Sequence, residues 1–181
     1  VILVGEYGSL TGDDATFGIS TNKGIKMAFD EINSKGGIKG KKIKLITEDD
    51  QGKNEETAKV VTRLITQDKV MALLGEVASS RSIIAAPIAQ KNGIPMISPS
   101  STAPEVTEKG DHIFRVCFLD PFQGYVMAKF ATENLKAKKA AVLRKNGDTY
   151  SEGLANVFAA EFKKFGGEVV ADLSYQPKDM D

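Results

Sequence analysis

The chain holds one cysteine, Cys117, and one histidine, His112, in 181 residues. A lone thiol excludes an intramolecular disulfide and any cysteine-based zinc cluster. A lone histidine, set in a loop far in sequence from Ser79, leaves a Ser-His-Asp triad without a local signature. An excess of charge is missing too. Lys plus Arg and Asp plus Glu each number 24, so no net field is present to hold a nucleic acid, whose binders draw affinity from basic patches. Lysines do gather at Lys39–Lys44, but acids surround them, as on a solvated turn. No run approaches the ~20 apolar residues that span a bilayer. No leader is visible either, because Val1 already lies in a strand-like run; a secreted protein would have lost its leader ahead of this point. Cysteine poverty suits cytoplasm and periplasm alike. Cys117 lies in the apolar run Ile113–Leu119 and is predicted to be a buried, inert thiol.

What is present is a repeating β-α pattern. Val1–Gly5 reads as a strand apolar on both faces, as parallel strands are. Glu6 to about Thr16 reads as a loop, and Ile19–Ser34 as a helix with Ile25, Met27, Ala28, Phe29 and Ile32 at helical spacing. Gly36-Gly37 ends it. Strands are predicted at Ile43–Ile46, Val70–Leu74, Ile94–Ile97 and Ile113–Phe118. Helices are predicted at Glu56–Gln67 and from Ser79 or Ser80, as cap, to about Asn92. Phe122–Leu135, Ala140–Leu143, Glu152–Phe165 and Glu168–Leu173 continue as helix, strand, helix, strand. A helix, a Gly-Gly pair and a charged strand occur both in Phe29–Ile46 and in Phe158–Leu173. Alternation of this kind implies a parallel, doubly wound sheet with helices on both faces. Phe118-Leu119-Asp120-Pro121 is the candidate boundary, since Pro121 opens a helix better than it extends a ladder. It is either a hinge or an ordinary strand-to-helix turn.

In an open α/β sheet, ligands bind beyond the carboxyl ends of the strands. Two of the segments there are rich in hydroxyls, Gly75-Glu76-Val77-Ala78-Ser79-Ser80 and Ser98-Pro99-Ser100-Ser101-Thr102. A helix starting at Ser79 would aim N–H groups and its dipole at a carboxylate. Ser100–Thr102 hydroxyls and carbonyls could hold an ammonium group beside it. That arrangement would receive a zwitterion; serine clusters also serve plain capping and turn chemistry. Enzyme motifs are missing. Gly5, Gly8 and Gly12 do not make G-x-G-x-x-G, and neither a phosphate-binding G-x-x-x-x-G-K-[ST] nor G-x-S-x-G occurs. Asp13-Asp14 and Asp49-Asp50 do not fall where a phosphoryl-accepting receiver domain needs them, and Asp49-Asp50 reads as a cap for the turn before the second helix.

Several motifs carry a family resemblance. The run from Asp30-Glu31-Ile32-Asn33-Ser34-Lys35-Gly36-Gly37 through Ile38-Lys39-Gly40-Lys41-Lys42-Ile43, followed by Glu48-Asp49-Asp50, resembles the leucine/isoleucine/valine-binding proteins of ABC transporters. So do Leu74-Gly75 with Ser79-Ser80, Pro99-Ser100-Ser101-Thr102-Ala103-Pro104-Glu105, Arg115-Val116, Asp120-Pro121-Phe122-Gln123-Gly124 and Tyr150-Ser151-Glu152-Gly153-Leu154. The resemblance implies a type I periplasmic binding protein, α/β, with two doubly wound parallel-sheet lobes closing on a ligand. Residues 1–118 would form a nearly whole first lobe, 119–121 the hinge crossover and 122–181 the start of a truncated second lobe. It implies Ser79 and Thr102 as anchors of carboxylate and ammonium, with the Ser100 and Ser101 backbone beside them. Phe17 would flank the ligand from the first lobe, and Tyr150 would close over it from the second. Ser101 stands where branched-chain members often carry alanine, which leaves the ligand's side chain open.

The function implied is extracytoplasmic, periplasmic or extracellular and lipid-anchored in a Gram-positive cell. It is capture of a small amino acid between two lobes and delivery to an ABC permease, without catalysis, cofactor, metal or nucleic acid. The alternative is an amino-acid or amide sensor of the same fold coupled to a signalling partner. An incomplete second lobe would also expose a strand edge and uncover Phe130, Phe158, Phe162 and Phe165, so self-association of the fragment is expected.

Overall fold

In the computed structural model, which describes residues 1–176 and Asp179, the first strand, β1 (Ile2–Gly8), runs three residues past its apolar segment. The polar extension is tolerable because its groups are paired. Glu6 is buried, and its carboxylate accepts from Asn22 Nδ2 at 2.5 Å and Thr47 Oγ1 at 2.7 Å. Helix α1 (Ala15–Ser34) accordingly starts four residues before the periodic pattern does. β2 (Ile43–Asp49) and α2 (Asn54–Thr66) follow; of the apolar stripe Val60, Val61, Leu64 and Ile65, the last three are buried and Val60 is half-buried. Then come β3 (Ala72–Gly75), α3 (Ser79–Lys91), β4 (Met96–Ser98), a 3-10 turn at Pro104–Lys109 and β5 (Ile113–Arg115).

These five strands make one parallel sheet in the order β2-β1-β3-β4-β5. The order reverses at β1, which pairs with β2 on one side and β3 on the other. That is the switch point of a doubly wound sheet, where the loops leaving β1 and β3 sit side by side at the carboxyl edge. Close approach there needs glycine. A methyl group on Gly75 would meet the Tyr7 carbonyl at 2.3 Å, and one on Gly18 the Ser9 carbonyl at 2.0 Å. Gly18→Ala must therefore push α1 off the loop after β1. Its expected cost is about 1–3 kcal/mol, the range of overpacking, checked as a lowered melting temperature; an unchanged one would show that α1 shifts freely.

The chain divides into two units by its contacts. Val1–Ser101 with Glu105–Cys117 forms one, and Thr102–Pro104 with the chain from Phe118 onward forms the other. Thr102 belongs with the later residues because its carbonyl accepts the Asp120 amide at 3.0 Å. The second unit begins with α4 (Asp120–Lys129), where Pro121 opens the helix as read. The predicted helix to Leu135 instead widens into a π-turn at Phe130–Asn134. β6 (Lys139–Lys145), α5 (Thr149–Lys164) and β7 (Glu168–Tyr175) complete it, with β6 and β7 parallel. Residues 177, 178, 180 and 181 of the expected second lobe lie outside the described residues. Phe162 departs from expectation. It is fully buried on the inner face of α5 and stacked on Phe158 at 5.3 Å, while Phe130 is exposed.

The repeated Gly-Gly joint is geometrically real. Gly37 N–H donates to the Ile32 carbonyl and Gly167 N–H to that of Phe162, each reaching back five residues. Gly36 (φ 101°) and Gly166 (φ 82°) take the left-handed conformation that this helix ending requires.

Candidate functional site

The carboxyl edge of the five-stranded sheet concentrates buried polar groups. Ser9 follows β1, Asp50 follows β2, Glu76 follows β3, and all three are buried. Glu76 is the centre. Its Oε1 accepts the Ser9 amide at 3.1 Å and the Ser9 hydroxyl at 2.7 Å, and its Oε2 accepts the Ala78 amide. Arg81 Nε lies 3.1 Å from the same carboxylate, and Arg81 Nη2 lies 2.7 Å from Asp14. Burial works against the Arg81 charge, but Glu76 and Asp14 outweigh it and hold the guanidinium above its ordinary pKa.

Asp49 and Asp50 divide their work. Asp49 is less buried. Desolvation opposes its charge, yet the Thr11 hydroxyl and the amides of Gln51, Leu10 and Thr11 hold its carboxyl below the usual range. Asp50 accepts the Gly52 amide at 2.9 Å, which makes it the expected brace of the turn before α2. Burial, then Glu76, pushes its carboxyl up.

The start of α3 is capped differently from the prediction. The residue capping α3 is Ala78, with no side-chain cap, so neither Ser79 nor Ser80 serves as the cap. Glu76 supplies the negative group at that helix start instead. Ser79 is the first helical residue and is buried. Ser100 is half-buried, its hydroxyl 3.5 Å from the Val77 carbonyl. Ser101 is fully buried, and every polar atom it has is occupied within the first unit. Its amide donates to Ser98 Oγ at 2.9 Å, its hydroxyl bonds the Glu76 and Val77 carbonyls at 3.0 Å each and Ser82 Oγ at 2.7 Å, and its carbonyl accepts from Arg115 at 2.7 Å. Ser98, Ser82 and Ser101 brace the loop after β3 against the loop after β4.

Phe17, in the first turn of α1, is 61% exposed, the state of a side chain with surface to offer. Thr102 is its opposite. Its Oγ1 is buried and has no hydrogen-bond partner among the described residues, an arrangement that costs about 1–3 kcal/mol if nothing else meets it. In the second unit, Tyr150 stands in the first turn of α5, half-exposed, its hydroxyl accepting from Gln123 Nε2 at 3.1 Å. Asp148 caps that helix by accepting the Ser151 amide at 2.8 Å. Cys117 is half-buried rather than buried, with its thiol 3.5 Å from the Ser101 carbonyl. The short β5 explains this, since Val116 and Phe118 beside it are exposed. The residues that sequence reading missed are Ser9, Asp14, Glu76 and Arg81. The available signal was a charged residue directly after an apolar strand, Leu73-Leu74-Gly75-Glu76.

The periplasmic binding protein family profile matches residues 1–181. The chain is similar to an amino acid binding protein of Pseudomonas aeruginosa, 40% identical over 166 residues, which are 91% of this chain and 44% of that protein. It is also similar to the Leu/Ile/Val-binding protein of Escherichia coli, 34% identical over 170 residues, 93% of this chain and 46% of that one. Among solved structures, a leucine binding protein from Thermotoga maritima superposes with a TM-score of 0.94 at 38% identity, covering 100% of this chain and 51% of its own. A branched-chain amino acid binding protein from Streptococcus pneumoniae in complex with isoleucine does so with 0.94 at 37%, with the same coverage. The chain spans about half the length of the relatives it matches. Among the described residues, no helix is long and apolar enough to cross a membrane. Sheet order, strand-end polar groups, profile and relatives agree: the chain belongs to the periplasmic binding protein family.

Proposed function

We propose that this chain forms part of an extracytoplasmic solute-binding protein that captures a small amino acid, branched-chain or similar, and hands it to the permease of an ABC transporter. The carrying observation is Thr102 Oγ1, a buried hydroxyl without a hydrogen-bond partner among the described residues, at the end of the β4 loop. Such a group gains most from a ligand that completes its hydrogen bonding. Ser79 at the start of α3 is the companion anchor for a carboxylate, with Ser100 beside it and with Phe17 and Tyr150 as the aromatic walls. The Ser101 hydroxyl turns to the Glu76 and Val77 carbonyls, so a serine at this position does not argue against an aliphatic ligand. The named relatives bind Leu, Ile and Val, or isoleucine, and the role assigned to this chain is likewise binding without catalysis. Residues 1–118 and 122–181 are assigned to two lobes, with 119–121 between them.

Isothermal titration calorimetry of a panel of free amino acids against the protein expressed from its complete coding sequence tests this. One or more aliphatic amino acids should bind. Ser79→Ala and Thr102→Ala should each weaken that binding by about 1–3 kcal/mol, the scale of a lost charge-assisted hydrogen bond. Heat from no member of the panel would overturn the function, and unchanged affinity in both variants would remove these two residues from the site.

A further inference from the structure

The cluster under the strand edge contains more acceptors than its hydrogens can serve. Ser9 Oγ lies 2.7 Å from Glu76 Oε1 and 3.0 Å from Asp50 Oδ1. Thr57 Oγ1 lies 3.1 Å from Asp50 Oδ2 and 3.0 Å from the Lys53 carbonyl. Those are four hydroxyl contacts, two for each hydroxyl, and every partner is an oxygen. Two hydroxyls carry two hydrogens. With both carboxylates ionised, two of the four contacts would set lone pair against lone pair in a region closed to water, since Ser9, Asp50, Thr57 and Glu76 are all buried.

We propose that Asp50 holds a proton in the folded protein at neutral pH, shared toward Ser9 and Thr57. The assignment follows from what each carboxyl touches. Glu76 has the Arg81 guanidinium at 3.1 Å and the amides of both Ser9 and Ala78, and all of these favour its charge. Asp50 has one amide, from Gly52, and two hydroxyls. Among the described residues it has no cation within 4 Å. A proton on Asp50 supplies the third hydrogen and removes one of two neighbouring negative charges, as in other carboxyl pairs that cannot both ionise. The other groups facing the cluster do not alter this. Tyr7 of β1 is a neutral phenol pushed further up by burial, Asp14 is engaged with Arg81, Asp49 turns to Leu10 and Thr11, and Lys53 turns its ammonium to Gln51.

The sign of the consequence is fixed. A carboxyl whose folded pKa is raised above its unfolded value binds more protons folded than unfolded, so its contribution to stability falls as pH rises. The fall starts near the ordinary aspartate value, about 4, and ends once the folded group has ionised. Asp50→Asn tests this. The amide can donate to Thr57 and accept from Gly52, and it cannot ionise. Melting temperatures of the complete protein and of Asp50→Asn should be close at pH near 4. The variant should then gain on the native protein by a few degrees as pH rises toward about 8. The difference cancels every other titration. A gap that stays flat, or opens in favour of the native protein, overturns the proposal. Should the variant not fold, the native protein decides alone. Carbon-13 NMR of protein labelled at aspartate side-chain carboxyls should show one carboxyl still protonated at neutral pH, and all of them ionised would overturn it. Neither readout uses an amino-acid ligand, so the result is independent of the transport reading.

Discussion

Replacing Arg81 with alanine is expected to cost about 3–5 kcal/mol of folding stability, the range seen when one partner of a buried ion pair is removed. The side chain of Arg81 is 7% exposed and that of Glu76 1%, so neither charge has water to fall back on. Removing the guanidinium leaves the buried Glu76 carboxylate without its cation. It also releases Asp14 and the Gly52 carbonyl, which accepts from Arg81 at 3.3 Å. Urea unfolding followed by circular dichroism measures the loss. The double variant Arg81→Ala/Glu76→Gln should recover part of it, because the stranded charge is then gone. Equal loss in the single and double variants would mean that Arg81 acts through packing instead.

Phe162→Ala should cost a similar amount in the second unit, about 3–5 kcal/mol, by transfer plus cavity. The ring is completely buried and stacks on Phe158 with an interplanar angle of 15°. Gly167 is part of the same packing, since a methyl group there would lie 2.4 Å from the ring. Phe162→Leu, which fills more of the space, should lose less. Hydrogen exchange over α5 reports the change locally, and protection as strong in the alanine variant as in the native protein would show the ring to be dispensable.

How much of this was legible in the sequence depends on what a residue's partner is. Apolar periodicity found each strand and α-helix among the described residues, though not the 3-10 turn at Pro104–Lys109, because burial of Val61, Leu64 and Ile65 requires only that the helix repeat meet a sheet. Ends were harder. β1 and β2 continue through Glu6-Tyr7-Gly8 and Thr47-Glu48-Asp49, and polarity there mimics a loop until Asn22 and Thr47 are seen to pair with Glu6. The hydroxyl-rich segments were found, but their division of labour was not. Ser101 braces carbonyls, while the hydroxyl of Thr102, the next residue, has no hydrogen-bond partner among the described residues. Composition cannot separate two such neighbours, because the difference lies in which way each side chain faces. Glu76 and Arg81 escaped for a related reason: Ser9 lies 67 residues before its partner Glu76, and Asp14 lies 67 residues before its partner Arg81, beyond any local pattern.

That separation has a consequence for how the chain is made on the ribosome. Synthesis is vectorial, and domains take shape as the chain emerges. β1 and β2 can pair early, with Asp49 and Asp50 holding one side of the turn at Ser9, but its bonds to Glu76 must wait until β3 has followed. Even then Glu76 reaches daylight five residues ahead of Arg81, as a lone anion that water solvates well and a protein interior would not. The switch point of the sheet is thus shut only when the start of α3 has emerged from the exit tunnel.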